Sequence, residues 1–401
     1  MSIQIASKLP AAGTTIFSVM SRLAREHGAI DLSQGFPDFE PDEALLDRVA
    51  HHLRAGKNQY PPMIGVPELR RAIAAKIARV HDVAVDAETA ITVTSGATEA
   101  LFCAIHAVVR RGDEVVVLDP AYDSYAPAVE LAGGRCVHVP LIAPDYCIDW
   151  DAFDAALGAR TRLVVINSPH NPCGAVLATD DLDRLADAIA RRDCLVLSDE
   201  VYEHIIFDGA THASVLAHPR LAARSFAVFS FGKTYHATGW KVGYCVAAPE
   251  LTAEFRKVHQ FNTFTTVAPM QYALADFIAA HPEQYENLPA FYQRKRDLFA
   301  ELMAPSRFRL LPCRGTYFQL ADYSELQSSA LESNAAHDPS VGDGDGGGDL
   351  AFARWLTTEK GVSAIPLSPF HHTPPSTPIV RFCFAKQDDT LRKAAAVLSG
   401  V

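Results

Sequence analysis

Arg162-Leu-Val-Val-Ile-Asn-Ser-Pro-His-Asn-Pro-Cys-Gly174 passes from an unbroken apolar run straight into a rigid polar loop. A short run of this kind, from Leu163 to Ile166, suits a strand covered on both faces. The two prolines and the closing glycine that follow stop the strand and fix the loop. The same punctuation recurs on either side. Glu114-Val-Val-Val-Leu118, Cys194-Leu-Val-Leu197 and Phe226-Ala-Val-Phe229 are short apolar runs, and Ala90-Ile-Thr-Val-Thr94 reads as a further strand. Glu68 to Val80, Thr98 to Arg110 and Leu182 to Ala190 instead carry apolar residues at helical spacing. Strands buried on both faces and alternating with helices, from about residue 66 to 245, predict an α/β fold around a mainly parallel sheet.

The C-terminal third changes character. Pro282 to Met303 reads as one long helix, and Phe308-Arg-Leu-Leu311, Tyr317-Phe-Gln-Leu320 and Ile379-Val-Arg-Phe-Cys-Phe384 read as strands. Ser328 to Asp349 includes Val341-Gly-Asp-Gly-Asp-Gly-Gly-Gly348 and has almost no large apolar side chains, so it is expected to be a flexible surface loop. Asp343 and Asp345 lack the bidentate acid that a calcium loop needs at the proper spacing.

Bulk properties exclude whole classes. At 401 residues the chain can bury large cores, and its net charge of −11 is the wrong sign for a surface that meets nucleic-acid phosphates. No apolar stretch approaches a membrane span, and the N-terminus lacks the apolar core of a signal peptide. The eight cysteines lie singly, with no Cys-x-x-Cys pair, which fits free thiols in a reduced cytoplasm. The His51-His52 and His371-His372 pairs lack ligand spacing, so no metal is expected.

An α/β sheet places ligands at the C-terminal ends of its strands, and the polar motifs sit there. Thr94-Ser-Gly-Ala-Thr-Glu-Ala100 runs through small residues into a helix, where free backbone amides would hold a phosphate. Asn171 lies in the rigid loop after Ile166. Asp199, in Leu197-Ser-Asp-Glu-Val-Tyr-Glu203, ends a buried strand, where a carboxylate is costly unless it meets a cation, and Tyr202 follows within reach. Asp119-Pro-Ala-Tyr-Asp-Ser-Tyr125 offers Tyr122 as a flat face for a planar ring. Lys233 stands in Ser230-Phe-Gly-Lys-Thr-Tyr-His-Ala-Thr-Gly-Trp-Lys-Val-Gly-Tyr244 with a second amine, Lys241, eight positions on. An amine attacks a carbonyl only when deprotonated, so its setting must lower its pKa. A phosphate cradle, a stacking ring, a buried acid, a phenol and an amine together fit pyridoxal 5′-phosphate, whose pyridine nitrogen Asp199 would keep protonated.

With these motifs assembled, the chain resembles the fold-type I pyridoxal phosphate enzymes of the class I/II aminotransferase family. The resemblance runs essentially end to end. Ile30-Asp-Leu-Ser-Gln-Gly-Phe-Pro-Asp-Phe39 and Thr234 to Gly243 are most similar to its methionine and kynurenine–glutamine branch. It implies a seven-stranded-type sheet in a large domain of residues 46–284. A small α+β domain would be built from an N-terminal segment, 1–45, and from 285–401. It further implies that Lys233 bonds to the cofactor aldehyde and later carries a proton, and that Asp199 and Tyr202 act with it. Asn171 and Tyr202 are then donors to the ring oxygen, Gly96, Ala97, Ser230 and Lys241 the phosphate cup, and Tyr122 the stacked ring. Many relatives have an arginine in place of Lys241, which keeps the charge but loses the bidentate fork. Gly232 removes a hydroxyl found in the broader Ser-x-Ser-Lys pattern.

Arg381 resembles the arginine that grips the substrate α-carboxylate, whose planar fork matches a carboxylate bidentately. Gly35, Asn171, Phe17 and Phe264 join it as implied substrate contacts, and Phe36, Tyr60 and Phe370 as lining residues. Tyr60 also resembles the tyrosine that reaches the phosphate of a neighbouring subunit, so a homodimer with shared sites is expected. The implied activity is transfer of the amino group of a neutral apolar or aromatic amino acid to a 2-oxo acid by a ping-pong mechanism. Methionine is the first expectation, and phenylalanine, tyrosine, kynurenine and glutamine are further donors. The alternatives are a cysteine-conjugate β-lyase or kynurenine–oxoglutarate transaminase and, more remotely, a non-catalytic ligand-sensing domain.

Overall fold

The apolar runs become neighbours in one eight-stranded sheet. The computed structural model describes residues 5–326, 348–373 and 377–401. In chain order a short strand β1 (Ile30–Asp31) precedes β2 (Ile91–Thr94), β3 (Glu114–Asp119), β4 (Arg135–Ile142) and β5 (Cys147–Ile148). These are followed by β6 (Thr161–Asn167), β7 (Leu195–Asp199), β8 (Ser225–Ser230) and β9 (Gly243–Ala247). The order across the large sheet is β2-β9-β8-β7-β6-β3-β4-β5. The pairs β8–β7, β7–β6, β6–β3 and β3–β4 are parallel. The pairs β2–β9, β9–β8 and β4–β5 are antiparallel. The expected seven strands are present, and two-residue β5 adds an eighth at the edge.

Successive residues of a strand point to opposite faces, and the central strands are apolar at nearly every position because both faces are covered. Val116, Leu118, Val164, Ile166 and Val196 enter one core, shared with Ile73 and Phe277 of the helices Pro67–His81 and Ala268–Ala280. Their neighbours Val115, Val117, Leu163, Val165 and Leu197 enter the other, with Leu101 and Phe255 of Gly96–Val108 and Pro249–Asn262. Three strands of the large sheet, β4, β5 and β9, escape the reading from sequence. β4 mixes exposed and partly buried positions, and β9 lies inside the glycine-bearing run that follows Lys241.

The expected helix from Pro282 to Met303 is two, Glu283–Glu286 and Leu288–Met303. Pro289, in the first turn of the second, has no N–H to continue the preceding ladder. Beyond them lie β10 (Arg309–Leu310), β11 (Phe318–Asp322), β12 (Val362–Ser363), β13 (Ile365–Pro366) and β14 (Ile379–Cys383). Four of these form an antiparallel sheet in the order β10-β11-β14-β13. β1 pairs in parallel with β12, and Cys383 N donates to Leu32 O at 2.8 Å, so the N-terminal segment is stitched to this second sheet.

Most of the expected flexible loop, residues 328–347 with Asp343 and Asp345, lies outside the described residues. Its last two residues are not loop. Gly348 and Asp349 open the helix Gly348–Thr358, where buried Asp349 accepts a bond from Ser368 N at 2.6 Å. Among the described residues no helix is long and apolar enough to cross a membrane.

Candidate active site

Parallel strands deliver their last residues to one edge of the sheet, and here those residues are Asp119, Asn167, Asp199 and Ser230. A cavity of about 250 Å3 opens there, lined by Lys233, Asp199, Asn171, Tyr202, Tyr122 and Arg381. Gly96, Ala97, Ser230, Lys241, Gly35 and Phe17 also line it, so twelve expected residues converge.

Lys233 sits on the short helix Phe231–Thr234 directly after β8. Its Nζ donates to Tyr317 Oη at 3.0 Å and to Gly35 O at 3.3 Å. Tyr317 in turn donates to Gly35 O at 2.6 Å. Burial pushes the Lys233 amine down to about 8, helped by the charges of Arg381 and Lys241 and opposed by Cys383 and Asp199. Gly35 is a position without room: a Cβ there would lie 2.8 Å from Phe318 Cζ.

Asp199 is buried, and burial pushes its carboxyl up to about 6. Tyr125 Oη donates to its Oδ2 at 2.7 Å and Val201 N to its Oδ1 at 3.3 Å. The rings of Tyr202 and Tyr317 are crossed edge to face at 5.2 Å. Asn171 N is held by Asn167 Oδ1 at 2.8 Å, and Asn171 Oδ1 accepts from Arg381 Nη1 at 2.7 Å. Arg381 is 1% exposed, donates also to Ser33 O at 3.2 Å, and lies 3.8 Å over the Phe318 ring. Burial lowers this guanidinium to about 10, which leaves it charged at neutral pH.

The end of the cavity beside Gly96 is built from backbone. Gly96 begins the helix Gly96–Val108 at φ 74°, and a Cβ on it would sit 3.3 Å from Lys241 Nζ. Lys241 itself adopts the left-handed region at φ 54°, and its Nζ reaches Thr98 Oγ1 at 3.5 Å. Gly243 lets β9 pass close to this turn, since a Cβ there would meet Ala97 N at 2.9 Å. A helix start with an ammonium above it and no side chain between them could cradle a phosphate.

Four expected lining residues lie elsewhere. Tyr60 is 86% exposed and meets only Phe264 among the ring contacts of the described residues, at 5.8 Å. Phe264 and Phe36 are also exposed. Their loops carry them outward, so none of these three lines this chain's cavity. Phe370 is buried one layer back, against Phe17 at 5.7 Å. Two site residues escape the sequence pattern, Tyr317 and Tyr125, yet one holds the amine and the other the acid. Tyr125 closes the Asp119–Tyr125 motif, and Tyr317 follows Thr316, a non-glycine residue at φ 64°.

The sequence and the fold have known counterparts. The model of the aminotransferase class I and II family matches residues 27–398. Escherichia coli methionine aminotransferase is 52% identical over 389 residues, covering 97% of this chain and 96% of that protein. A solved E. coli methionine aminotransferase structure superposes with a TM-score of 0.92 at 51% identity, covering all of both chains. The N-succinyldiaminopimelate aminotransferase structure from Mycobacterium tuberculosis gives 0.90 at 37% identity, over 99% of this chain and 100% of that one. A kynurenine–oxoglutarate transaminase of Dictyostelium discoideum is 33% identical over 95% of this chain and 93% of its own length. With the amine, acid and guanidinium gathered at the strand ends, these likenesses show that the chain belongs to the aminotransferase class I and II family and is a transaminase.

Proposed function

We propose that the enzyme moves the amino group of a neutral apolar or aromatic amino acid, methionine foremost, to a 2-oxo acid, using pyridoxal 5′-phosphate. The carrying observation is that Lys233, with its amine lowered to about 8, shares one cavity with the raised acid Asp199 and the buried guanidinium of Arg381. The donor set fits the cofactor. Gly96, Ala97, Ser230 and Lys241 would hold its phosphate, and Tyr122 would lie against its ring. Asp199 would take the ring N–H, and Asn171 and Tyr202 the ring oxygen. A carboxyl that burial drives up, with the charge of Glu200 adding to it, is the partner a cationic ring nitrogen requires. When bound, the cofactor supplies the electron sink for the pair left behind as the substrate Cα–H bond breaks.

The remaining work belongs to the chain. With an ordinary lysine the free base would be scarce at neutral pH, whereas a value near 8 leaves about a tenth of Lys233 deprotonated at pH 7. Tyr317 and Gly35 hold Nζ in place, so the amine can take the proton from the substrate α-carbon and move it on in a fixed direction. Arg381 would grip the α-carboxylate, held in plane by Asn171 and Ser33. Among the described residues that line the cavity, the cations are Lys233, Lys241 and Arg381, each with a role already. A side-chain carboxylate finds no further cation there, which favours neutral donors, as does the likeness to methionine aminotransferases.

Tyr60 and Phe264, exposed beside Phe261 at 85% exposure, support a homodimer in which Tyr60 reaches the phosphate end of the partner's cavity. The same reading divides the chain into a large domain, 46–284, and a small one from 1–45 and 285–401. Eight free cysteines fit a reducing, cytoplasmic setting. The kynurenine–oxoglutarate transaminase relatives favour kynurenine as a second donor.

A panel of donors offered to the pyridoxal phosphate-loaded protein tests the proposal. We expect 2-oxo acid formation fastest from methionine. No 2-oxo acid from methionine, phenylalanine, kynurenine or glutamine would sink it. Pyruvate and ammonia released from a cysteine conjugate without a 2-oxo acid acceptor would mark a β-lyase.

A further inference from the structure

At the place where the two sheets meet, a buried acid fastens one to the other beside the cavity. Asp119, the last residue of β3, is 4% exposed. Its Oδ1 accepts from the backbone N of His372 at 3.0 Å and its Oδ2 from His371 Nδ1 at 3.3 Å. His138 of β4 lies 3.7 Å from the same carboxylate and stacks on His372 at 4.2 Å with the planes 5° apart. Two residues on from the acid, Ala121 N donates to Phe370 O at 2.8 Å. The turn that follows β13 is therefore held at Phe370, His371 and His372 from the end of β3.

Phe370 passes that restraint to the substrate arginine. Its ring centroid lies 5.2 Å from Arg381 Cζ, and Phe17 and Phe318 approach the same guanidinium at 5.4 Å and 3.8 Å. Three rings enclose the fork, and Asn171 and Ser33 fix its rotation. Phe318 rides on β11 and Phe17 on the N-terminal helix Ile16–His27. Phe370 alone of the three is fastened to the large sheet, through Asp119 and Ala121. A loosened turn would free one wall of the cage and let the fork rotate away from a carboxylate.

We propose that Asp119 is a positioning residue for substrate binding, acting through Phe370 on Arg381; the proposal rests on Arg381 being the α-carboxylate ligand. It touches neither substrate nor cofactor. Its loss raises KM for both the amino acid and the 2-oxo acid, because both present the same carboxylate, and leaves the proton transfer at Lys233 in place.

The test is a double-mutant cycle in the pyridoxal phosphate-loaded enzyme, read as KM and kcat for methionine and a 2-oxo acid, with Asp119→Ala, Phe370→Ala and both together. We expect Asp119→Ala to raise KM roughly tenfold with kcat within about threefold, and the double variant to be no worse than Phe370→Ala alone. Asp119→Asn keeps an acceptor without the charge; should the alanine variant fail to fold, this one carries the cycle, with a smaller rise in KM. Additive effects, or a fall in kcat at unchanged KM, would overturn the proposal. Arg381→Ala is the control. If it leaves KM unchanged, the reading of Arg381 itself fails. If it raises KM while both Asp119 variants do not, only the clasp fails.

Discussion

Asp119 and Asp199 occupy equivalent places and behave in opposite ways. Each is the last residue of a parallel strand, β3 and β7, and each is 4% exposed. Burial pushes both carboxyls up. At Asp119 the nearby His138 and the bonds from His371 and the N–H of His372 outweigh it and hold the group well below the usual carboxylate range. At Asp199 burial wins, because Tyr125 and Val201 N do not offset it, and the group stands at about 6. One acid is matched by local partners that tie the turn after β13 to the end of β3. The other is kept short of a cation, on the wall of a cavity. A strand end is a ligand site in this fold only where the local partners leave a demand unmet.

The largest effect that could break this contrast is on turnover. Asp199→Ala should lower kcat for methionine by about 10^3-fold, within the range by which positioned acids and bases act. Asp119→Ala should leave kcat nearly intact. Equal losses in kcat would erase the distinction. The next effect is on Lys233, whose amine Asp199 raises through its charge. In the cofactor-free protein, the rate at which Lys233 captures a carbonyl reagent should climb about tenfold per pH unit from pH 6 and level above about 8, since only the free base reacts. Asp199→Asn removes a negative charge, so the plateau should arrive at lower pH, whereas Asp119→Asn should leave the profile in place. A smaller effect follows from Tyr125. Tyr125→Phe removes a hydroxyl that donates to the charged form of Asp199, and about 1.5 kcal/mol of stability should go with it at pH 7. The loss should shrink at pH 5, where Asp199 is mostly protonated; urea unfolding at the two pH values checks it.

Much of this site is legible in the sequence because its parts directly follow strands. Apolar runs announce β3, β6, β7 and β8, and whatever polar group ends each run must reach the same edge. Asp199, Asn171 and Lys233 are found that way. Tyr317 is not, because its bond to Lys233 joins residues 84 positions apart across the two sheets. The clasp is harder still: His371 and His372 read as an ordinary pair until Asp119, more than 250 positions earlier, is placed against them. Tyr60 and Phe264 teach the converse. Their residue types suit a pocket wall, but where they point is a property of the loops that carry them, not of local pattern. β9 escapes for another reason: its glycine serves a close approach to Ala97 and disguises the strand.

The contrast between the two acids is tested most directly by the stability of the cofactor-free protein at pH 7. Asp199 titrates higher in the folded chain than its ordinary 3.8, so the native state binds the extra proton between about pH 4 and 6. Stability from that group is present at low pH and lost as pH rises through 6, by about 3 kcal/mol once the carboxylate is fully charged. Asp119 is shifted the other way, so its contribution is present at neutral pH and lost as pH falls through its depressed value. Urea unfolding of the wild type, Asp199→Asn and Asp119→Asn should therefore move the midpoint in opposite directions, up for the first variant and down for the second. An Asp199→Asn protein less stable than the wild type would contradict the account.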